Sequence, residues 1–539
     1  MKSYLSKAKA AAHDFHHHHH NQDSSKSEKF PAHQQTAVNV TDQPSTIQQP
    51  SASDILRYRY HHGTNVGSVF VLEQWLTPYM YPDGSQSAEL AAVTSTIKQI
   101  GINGAQAKFE NHWNTYVSDA DLDWLANTAH CTSIRLPIGY FTLGPAYCQN
   151  TPFAQAAQVY TNAWAAVKKL VSRARSRGIG TLLDFHALPG SANGGDHSGT
   201  NSGKAELWGN KSNLDLALRC LLFIANEAKA WDGVIGIQLC NEADHGAKGM
   251  YAFYDSALAQ MGQIDKTMPI YISDAWDLGQ ASAYCNGKNS LSTGVANPLL
   301  IDTHLYWCFS DADKAKTPQQ ICQDVGEKLS VLKDGNVVDH GACQVIVGEY
   351  SCVLAEDCWA RCGGDSKADL VNAFGQTQSR RYQDKAGGSF FWTYRMDWMD
   401  GGEWGFAQQT KSGAIKPPAS LALGNSDVQS RISNAQANQN SRMQATVSAH
   451  YQYWDTNHPG NYEHWRYENG WKVGFADAEA FFGSRVSGGL QGTGGDKIGC
   501  LDIWVKKRIV ESGMAGPFLW EFEQGLRHGV RDFYALAEI

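Results

Sequence analysis

The chain reads as an α/β protein, a (β/α)8 TIM barrel preceded by a disordered low-complexity tail and followed by a C-terminal helical extension that carries a duplicated motif. Three observations predict this. Short apolar runs rich in β-branched residues recur along the chain; longer stretches of helical period separate them; and polar residues collect at the C-terminal ends of the runs. In a barrel of this kind those ends converge on one face, where the active site is built.

The runs, eight of them, cover 63–72, 133–138, 181–186, 234–242, 269–276, 299–307, 345–351 and 389–395. Between the second and third, Trp164, Val167, Leu170, Val171 and Ala174 fall on one helical face, while Lys168, Lys169, Arg173 and Arg175 lie largely elsewhere. The second run ends in Ile-Arg135-Leu-Pro, the third in Asp184-Phe-His186, the fourth in Asn241-Glu242, the sixth in Asp-Thr-His304-Leu-Tyr306, the seventh in Glu349 and the eighth in Phe-Trp392. Glu242 and Glu349 carry the chemical signal. A carboxylate at the exit of a strand buried on both faces is costly to hide unless it emerges at a working site. Strands 4 and 7 of a barrel set the two glutamates across the mouth from each other, as glycoside cleavage requires of its two carboxyls. The plainer reading of each is a structural ion pair.

Ordered words along the chain then carry a resemblance. They are Gly63-Thr-Asn-Val-Gly, Leu72-Glu73-Gln-Trp75-Leu-Thr-Pro, Phe109-Glu-Asn-His-Trp113, Ile134-Arg135-Leu-Pro-Ile-Gly-Tyr140, the run from His186 to Gly199 containing Asp196, Asn241-Glu242, His304-Leu-Tyr306, Gly348-Glu349 and Phe391-Trp392. In this order they resemble glycoside hydrolase family 5, in particular its fungal exo-β-1,3-glucanase-like branch. Three positions depart from the family's wording: Ala243 follows Asn241-Glu242 in place of proline, Gly67-Ser68-Val69 replaces Gly-Gly-Trp, and Asp196-His197-Ser198-Gly199 replaces Asp-Asn-Ser-Gly.

The resemblance implies a retaining hydrolase without cofactor or metal, releasing glucose from a β-glucan or β-glucoside. Glu349 is expected as nucleophile, held by Arg135 and Tyr306. Glu242 is expected as acid/base, its pKa raised by the neighbouring negative charge. Asn241 is expected on the sugar 2-hydroxyl, His186 and His304 as orienting groups, and Trp392 as an apolar floor; likeness alone makes Glu73 and Asp196 ligands for hydroxyls of a terminal glucose. The histidines and Trp392 also have plain packing readings. Alternatives of substrate and class are a β-glucosidase for steryl glucosides or glucosylceramide, and a catalytically silent glucan-binding protein.

Composition bounds the rest. The chain has 539 residues and a formal net charge of −8, with no basic stripe to suggest nucleic acid and no apolar stretch approaching the roughly 20 residues of a membrane span. Residues 1–52, polar and including five consecutive histidines at 16–20, are expected to be a disordered tail in which metal binding is incidental. Residues 53–424 form the expected catalytic barrel and 425–539 the extension. No apolar export segment opens the chain, so the twelve cysteines read as reduced thiols of a cytoplasmic protein. Cys352, Cys358 and Cys362 are expected in loop packing, with zinc the lesser reading because a fourth ligand is lacking.

In the extension the pattern W-x-aromatic-E-x-G-x-x-x-G-x-x-D occurs from Trp465 to Asp477 and again from Trp520 to Asp532. On a helix, Gly470 and Gly474, and Gly525 and Gly529, form small-residue strips that admit a close neighbour. A packing motif docked on the barrel is therefore expected, with a carbohydrate-contacting aromatic surface as the functional alternative. The resemblance includes a similar tail in intracellular fungal members of the branch.

Overall fold

The computed structural model describes residues 47–293, 296–332 and 335–539. The expected N-terminal tail and its five histidines lie outside these residues, apart from the tail's last six positions. Eight parallel strands close a barrel in sequence order, β1 pairing with both β2 and β8. They are β1 (His61–Asn65), β2 (Ser133–Gly139), β3 (Gly180–Ala187), β4 (Val234–Gln238), β5 (Ile270–Ser273), β6 (Leu299–Trp307), β7 (Val345–Leu354) and β8 (Gly388–Phe391). Nearly every strand residue is buried, as an inner ring clad by helices requires. The cladding helices include α1 (Glu89–Thr115), α2 (Asp119–Asn127), α3 (Ala163–Arg175), α4 (Lys211–Ala228), α5 (Met250–Ile264), α6 (Leu278–Lys288), α7 (Pro318–Glu327) and α8 (Lys367–Lys385).

Strand limits differ from the apolar runs where the chain must turn outward. The first run, 63–72, holds strand structure only as far as Asn65. Ser68 then takes φ 62°, and its hydroxyl bonds Thr77 Oγ1 at 2.6 Å and accepts from the Glu73 amide at 2.9 Å. Residues 66–72 are thus a buried loop, apolar because it is covered rather than because it is strand. Buried Glu89 accepts from the Leu72 amide at 2.6 Å and from Tyr160 at 2.8 Å, and burial raises its carboxyl to about 8. The fourth run likewise leaves the sheet at Gln238, the fifth at Ser273 and the eighth at Phe391, so Glu242 and Trp392 stand on the exits rather than in the ladder.

Beyond the barrel lie α9 (Asn425–Asn457), α10 (Trp465–Gly483), α11 (Leu501–Ser512) and α12 (Leu519–Leu536). The duplicated motifs are α10 and α12, packed on each other through their glycines. A Cβ on Gly470 would sit 2.1 Å from the Phe522 carbonyl oxygen, and one on Gly525 would sit 2.0 Å from that of Tyr467, so no side chain fits. The motif aspartates are occupied too: Asp532 accepts from the Trp471 indole, and Asp477 accepts from the Trp504 indole, both at 2.9 Å. Trp471, Phe475, Leu526 and Phe533 join one apolar cluster with Leu182, Ile235, Tyr271, Leu300, Ile346 and Phe390 of the barrel strands. Glu523 accepts the Val337 and Val338 amides at 2.9 Å each, and Asp496 lies against Arg59 of the barrel and Arg485 of the extension in a buried ion cluster. The extension closes the N-terminal end of the barrel, opposite the mouth.

Candidate active site

Strand register assembles the polar centre. Asn65 pairs with Arg135, Asp184 with Gln238, Ser273 with Asp302, and His304 with Glu349. Arg135 is fully buried and is the hub. Its Nη1 donates to Glu349 Oε1 and Asn65 Oδ1, each at 2.9 Å, its Nη2 to Asn241 Oδ1 at 2.7 Å, and its Nε to Gln238 Oε1 at 3.1 Å. Asp184 and Asp302 lie 3.1 and 3.4 Å from Nη2, so one guanidinium faces three carboxylates. Burial disfavours the charge, yet the three anions outweigh it and raise the Arg135 pKa.

Glu349 also accepts from Tyr306 at 2.8 Å. Glu242 stands across from it in the left-handed region, φ 42°, a backbone state costing on the order of 1–3 kcal/mol. Asn193 donates to the Glu242 carbonyl oxygen at 2.9 Å and steadies this turn, which Ala243 leaves without the family's proline. One carboxylate oxygen of each glutamate and a ring nitrogen of His304 lie within 4.8 Å of one another. His304 Nδ1 is 2.7 Å from Glu242 Oε1 and its Nε2 is 3.2 Å from Asp302 Oδ2. The β6–β7 register shifts here, Thr303 facing Val347 and His304 facing Glu349, so Gly348 is the extra residue on β7 and Glu349 is set opposite His304.

The expected rise in the Glu242 pKa is corrected by this contact. Burial pushes its carboxyl up, but the hydrogen bond and charge of His304, with the charges of His197 and His186, outweigh burial and lower it. His304 is held well above the ordinary histidine value: burial opposes its charge, and Glu349, Asp302 and Glu242 favour it more. Without a sugar bound, the shared proton rests on the imidazole. Glu73 carries a rise instead. Burial pushes its carboxyl well up, the indole of Trp75 at 2.8 Å opposes this, and the charges of Asp196, Glu349 and Glu242 add to it.

The other expected residues fall around the same mouth. His186 Nδ1 donates to Asp184 Oδ2 at 2.6 Å, its Nε2 lies 3.3 Å from Asn241 Nδ2, and the ring stacks on Trp392 with centroids 6.1 Å apart. Asp196 begins a short 3-10 turn, and its charge reaches Glu73. Trp392 is buried with Leu76 and Met396, and Trp75, Tyr306 and Trp404 pack against them. His197, not expected as a site residue, lies 3.2 Å from His186 and 3.4 Å from Glu242. Asp184 and Asp302 were also passed over, although each stands two residues before a chosen histidine and so shares its face of the strand. Gln238 was legible only as a lone polar residue in a buried run, and Asn65 stood in Gly63-Thr-Asn-Val-Gly with no role attached. Trp276 and Trp398, each 42% exposed at the rim, come from loops with no pattern to mark them.

Residues 93–379 match the family model for cellulase, glycosyl hydrolase family 5. The chain belongs to that family. Its extension, residues 435–537, matches the C-terminal domain of glucan 1,3-beta-glucosidase 3. An uncharacterized glycosyl hydrolase of Saccharomyces cerevisiae is 30% identical over 497 residues, covering 89% of this chain and 92% of its own. Glucan 1,3-beta-glucosidase 3 of Schizosaccharomyces pombe is also 30% identical, covering 88% of this chain and 95% of its own. The rutinosidase of Aspergillus niger superposes with a TM-score of 0.51 at 18% identity, over 67% of this chain and 98% of that structure, which shows a shared fold. This family 5 chain is therefore a glycoside hydrolase. No described helix is long and apolar enough to cross a membrane.

Proposed function

We propose that this chain is a retaining exo-β-glucosidase that releases glucose from β-1,3-glucan, with Glu349 as nucleophile and Glu242 as acid/base. The proximity of the two carboxylates carries the reading: one oxygen of each within 4.8 Å of the other fits the roughly 5–5.5 Å between carboxyls of a retaining pair better than the roughly 6.5–9.5 Å of an inverting one. The names of the fungal relatives support glucan as substrate.

In the first step Glu349 bonds the anomeric carbon as the glycosidic C–O bond breaks, and Glu242 gives a proton to the leaving oxygen. Arg135 and Tyr306 each donate to Glu349 and hold it aimed. A sugar oxygen arriving at Glu242 draws the shared proton from His304 Nδ1 onto the carboxyl, so His304 supplies the acid form. In the second step Glu242 takes a proton from water, which displaces Glu349 and leaves the β anomer. Asn241 reaches toward the sugar 2-hydroxyl, Glu73 and Asp196 toward the far hydroxyls, and Trp392 with His186 underlies the ring. The exposed Trp276 and Trp398 favour one second reading, an apolar aglycone of the steryl glucoside kind resting on the rim.

Proton NMR of the first-formed sugar tests the mechanism: β-glucose is expected, and an initial α product overturns it. Laminarin set against steryl glucoside and glucosylceramide decides the aglycone. We also place the enzyme in the cytoplasm. All twelve cysteines are free; Cys352 is buried within β7 and Cys358 in the short helix Glu356–Trp359 that follows it, not in the loop expected for them. Alkylation of the unfolded native protein without reductant is expected to modify most thiols; several native disulfides, or a glycan at Asn210, would show export instead.

A further inference from the structure

Far from the barrel mouth, three helices of the extension bring His450, His464 and Glu521 together. His450 lies in the last turns of α9, His464 is the N-cap of α10 and Glu521 is in the first turn of α12. One ligand atom from each lies within 4.8 Å of the others. The His450 and Glu521 side chains are 3% and 0% exposed, and that of His464 is 13% exposed. We propose that this cluster is a structural zinc site that clips α9, α10 and α12 together.

Four features of the site fit a metal. Two imidazoles and a carboxylate are the donor set of many zinc centres, with water as a fourth ligand. The spacing is close to that required: tetrahedral zinc separates its ligand atoms by about 3.3 Å. His450 Nε2 is 3.2 Å from Glu521 Oε2, and His464 Nδ1, at 2.7 Å from the same oxygen, needs only to back away slightly.

The second ring nitrogen of His464 faces another carboxylate, Asp455 Oδ1 at 3.3 Å. Zinc on Nδ1 takes the place of one proton and leaves Nε2–H on Asp455, the carboxylate–histidine–metal arrangement that fixes tautomer and ring orientation.

The ligands are also pre-set. His464 is sandwiched between Tyr451 and Tyr462, with centroids 4.4 and 5.0 Å away, and His450 stacks on Tyr467 at 3.7 Å. Glu521 Oε1 is engaged by the Glu463 amide at 2.9 Å, which leaves Oε2 turned to the histidines. Such positioning lowers the ordering cost of binding.

The test uses the full chain with the five histidines at 16–20 replaced by glutamine, so that these do not compete for metal. After EDTA treatment and gel filtration, zinc chloride is titrated by calorimetry, and cobalt chloride is added separately to read the visible spectrum. One zinc per chain, a higher melting temperature with zinc and intense tetrahedral cobalt bands are expected. His464→Asn is expected to abolish the cobalt bands, and Asp455→Asn to weaken zinc by about 10–100-fold, the size typical of an outer-shell partner. If His464→Asn fails to fold, the parent spectrum and the Asp455→Asn affinity decide. Absence of cobalt bands and of a zinc-dependent melting shift in the parent overturns the proposal and leaves the cluster a hydrogen-bond network.

Discussion

His304 holds Glu242 through Nδ1 at 2.7 Å, and the two share one proton that the surrounding anions draw onto the imidazole. The acid of the reaction is thereby stored one atom away from the group that delivers it. Replacing His304 by Gln leaves Glu242 buried near Glu349 without its cation. The proton then sits on the carboxyl and is lost at lower pH than the imidazolium loses it. The alkaline limb of kcat/KM on aryl β-glucosides is expected to move to lower pH in His304→Gln. An unmoved limb would assign the acid proton elsewhere.

The same pair has a stability signature. The folded pKa of Glu242 lies below its ordinary 4.5, so its contribution is present above pH 4.5 and is lost as pH falls through the lowered value. That of His304 lies above 6.5, so its contribution is full below pH 6.5 and is lost as pH rises through the raised value. Urea midpoints are expected to be highest between these two values for this pair. His304→Gln should flatten the loss on the alkaline side.

Glu349→Gln keeps acceptor and donor atoms for Arg135 and Tyr306 but removes the nucleophile. It is expected to fold and to lose nearly all turnover. Glu242→Ala is expected to lose about 10²–10⁴-fold on substrates with poor leaving groups and much less on activated aryl glucosides. Equal losses on both substrate types would contradict the acid role.

Arg135→Met strands Glu349, Asp184 and Asp302 in a buried site without their cation. A loss of about 3–5 kcal/mol is expected by urea denaturation, the usual cost of breaking a buried ion cluster from one side. Arg135→Lys keeps the charge but not the fork that meets Asn65, Asn241, Gln238 and Glu349 together, and is expected to recover only part of it.

Gly470→Ala puts a methyl group 2.1 Å from the Phe522 carbonyl oxygen and must push α10 from α12. It is expected to lower the melting temperature markedly. Gly287→Ala, on α6 with nothing within 4 Å of the new Cβ, is the matched control and is expected to be neutral or stabilising by about 0.4–1 kcal/mol. A chain ending at Gly424 uncovers Leu182, Ile235, Tyr271, Leu300 and Phe390 and is expected to aggregate. If that chain were soluble and thermally unchanged but had lost glucan affinity, the extension would be a carbohydrate module instead.

Sequence alone was enough for the barrel, because parallel strands buried on both faces must be written as apolar runs, and runs alternating with helical periods admit few other folds. It marked Glu242 and Glu349 as one candidate pair, because a charge at such a run's end has few reasons to be there, and the ordered words named the family; that the two come within reach of each other is what the barrel adds. It misplaced the end of β1, since a buried loop and a buried strand are equally apolar. It set the Glu242 pKa in the wrong direction for a related reason: the sign depends on which neighbour is nearer, and the meeting of Glu242 on the β4 exit with His304 on β6 at 2.7 Å leaves no mark in composition or spacing. The cluster of His450, His464 and Glu521 was invisible until α9, α10 and α12 met, because its members stand 71 residues apart at the extremes. Periodicity reports which face of an element is buried. Only packing decides which polar atoms on different elements come within a bond's length.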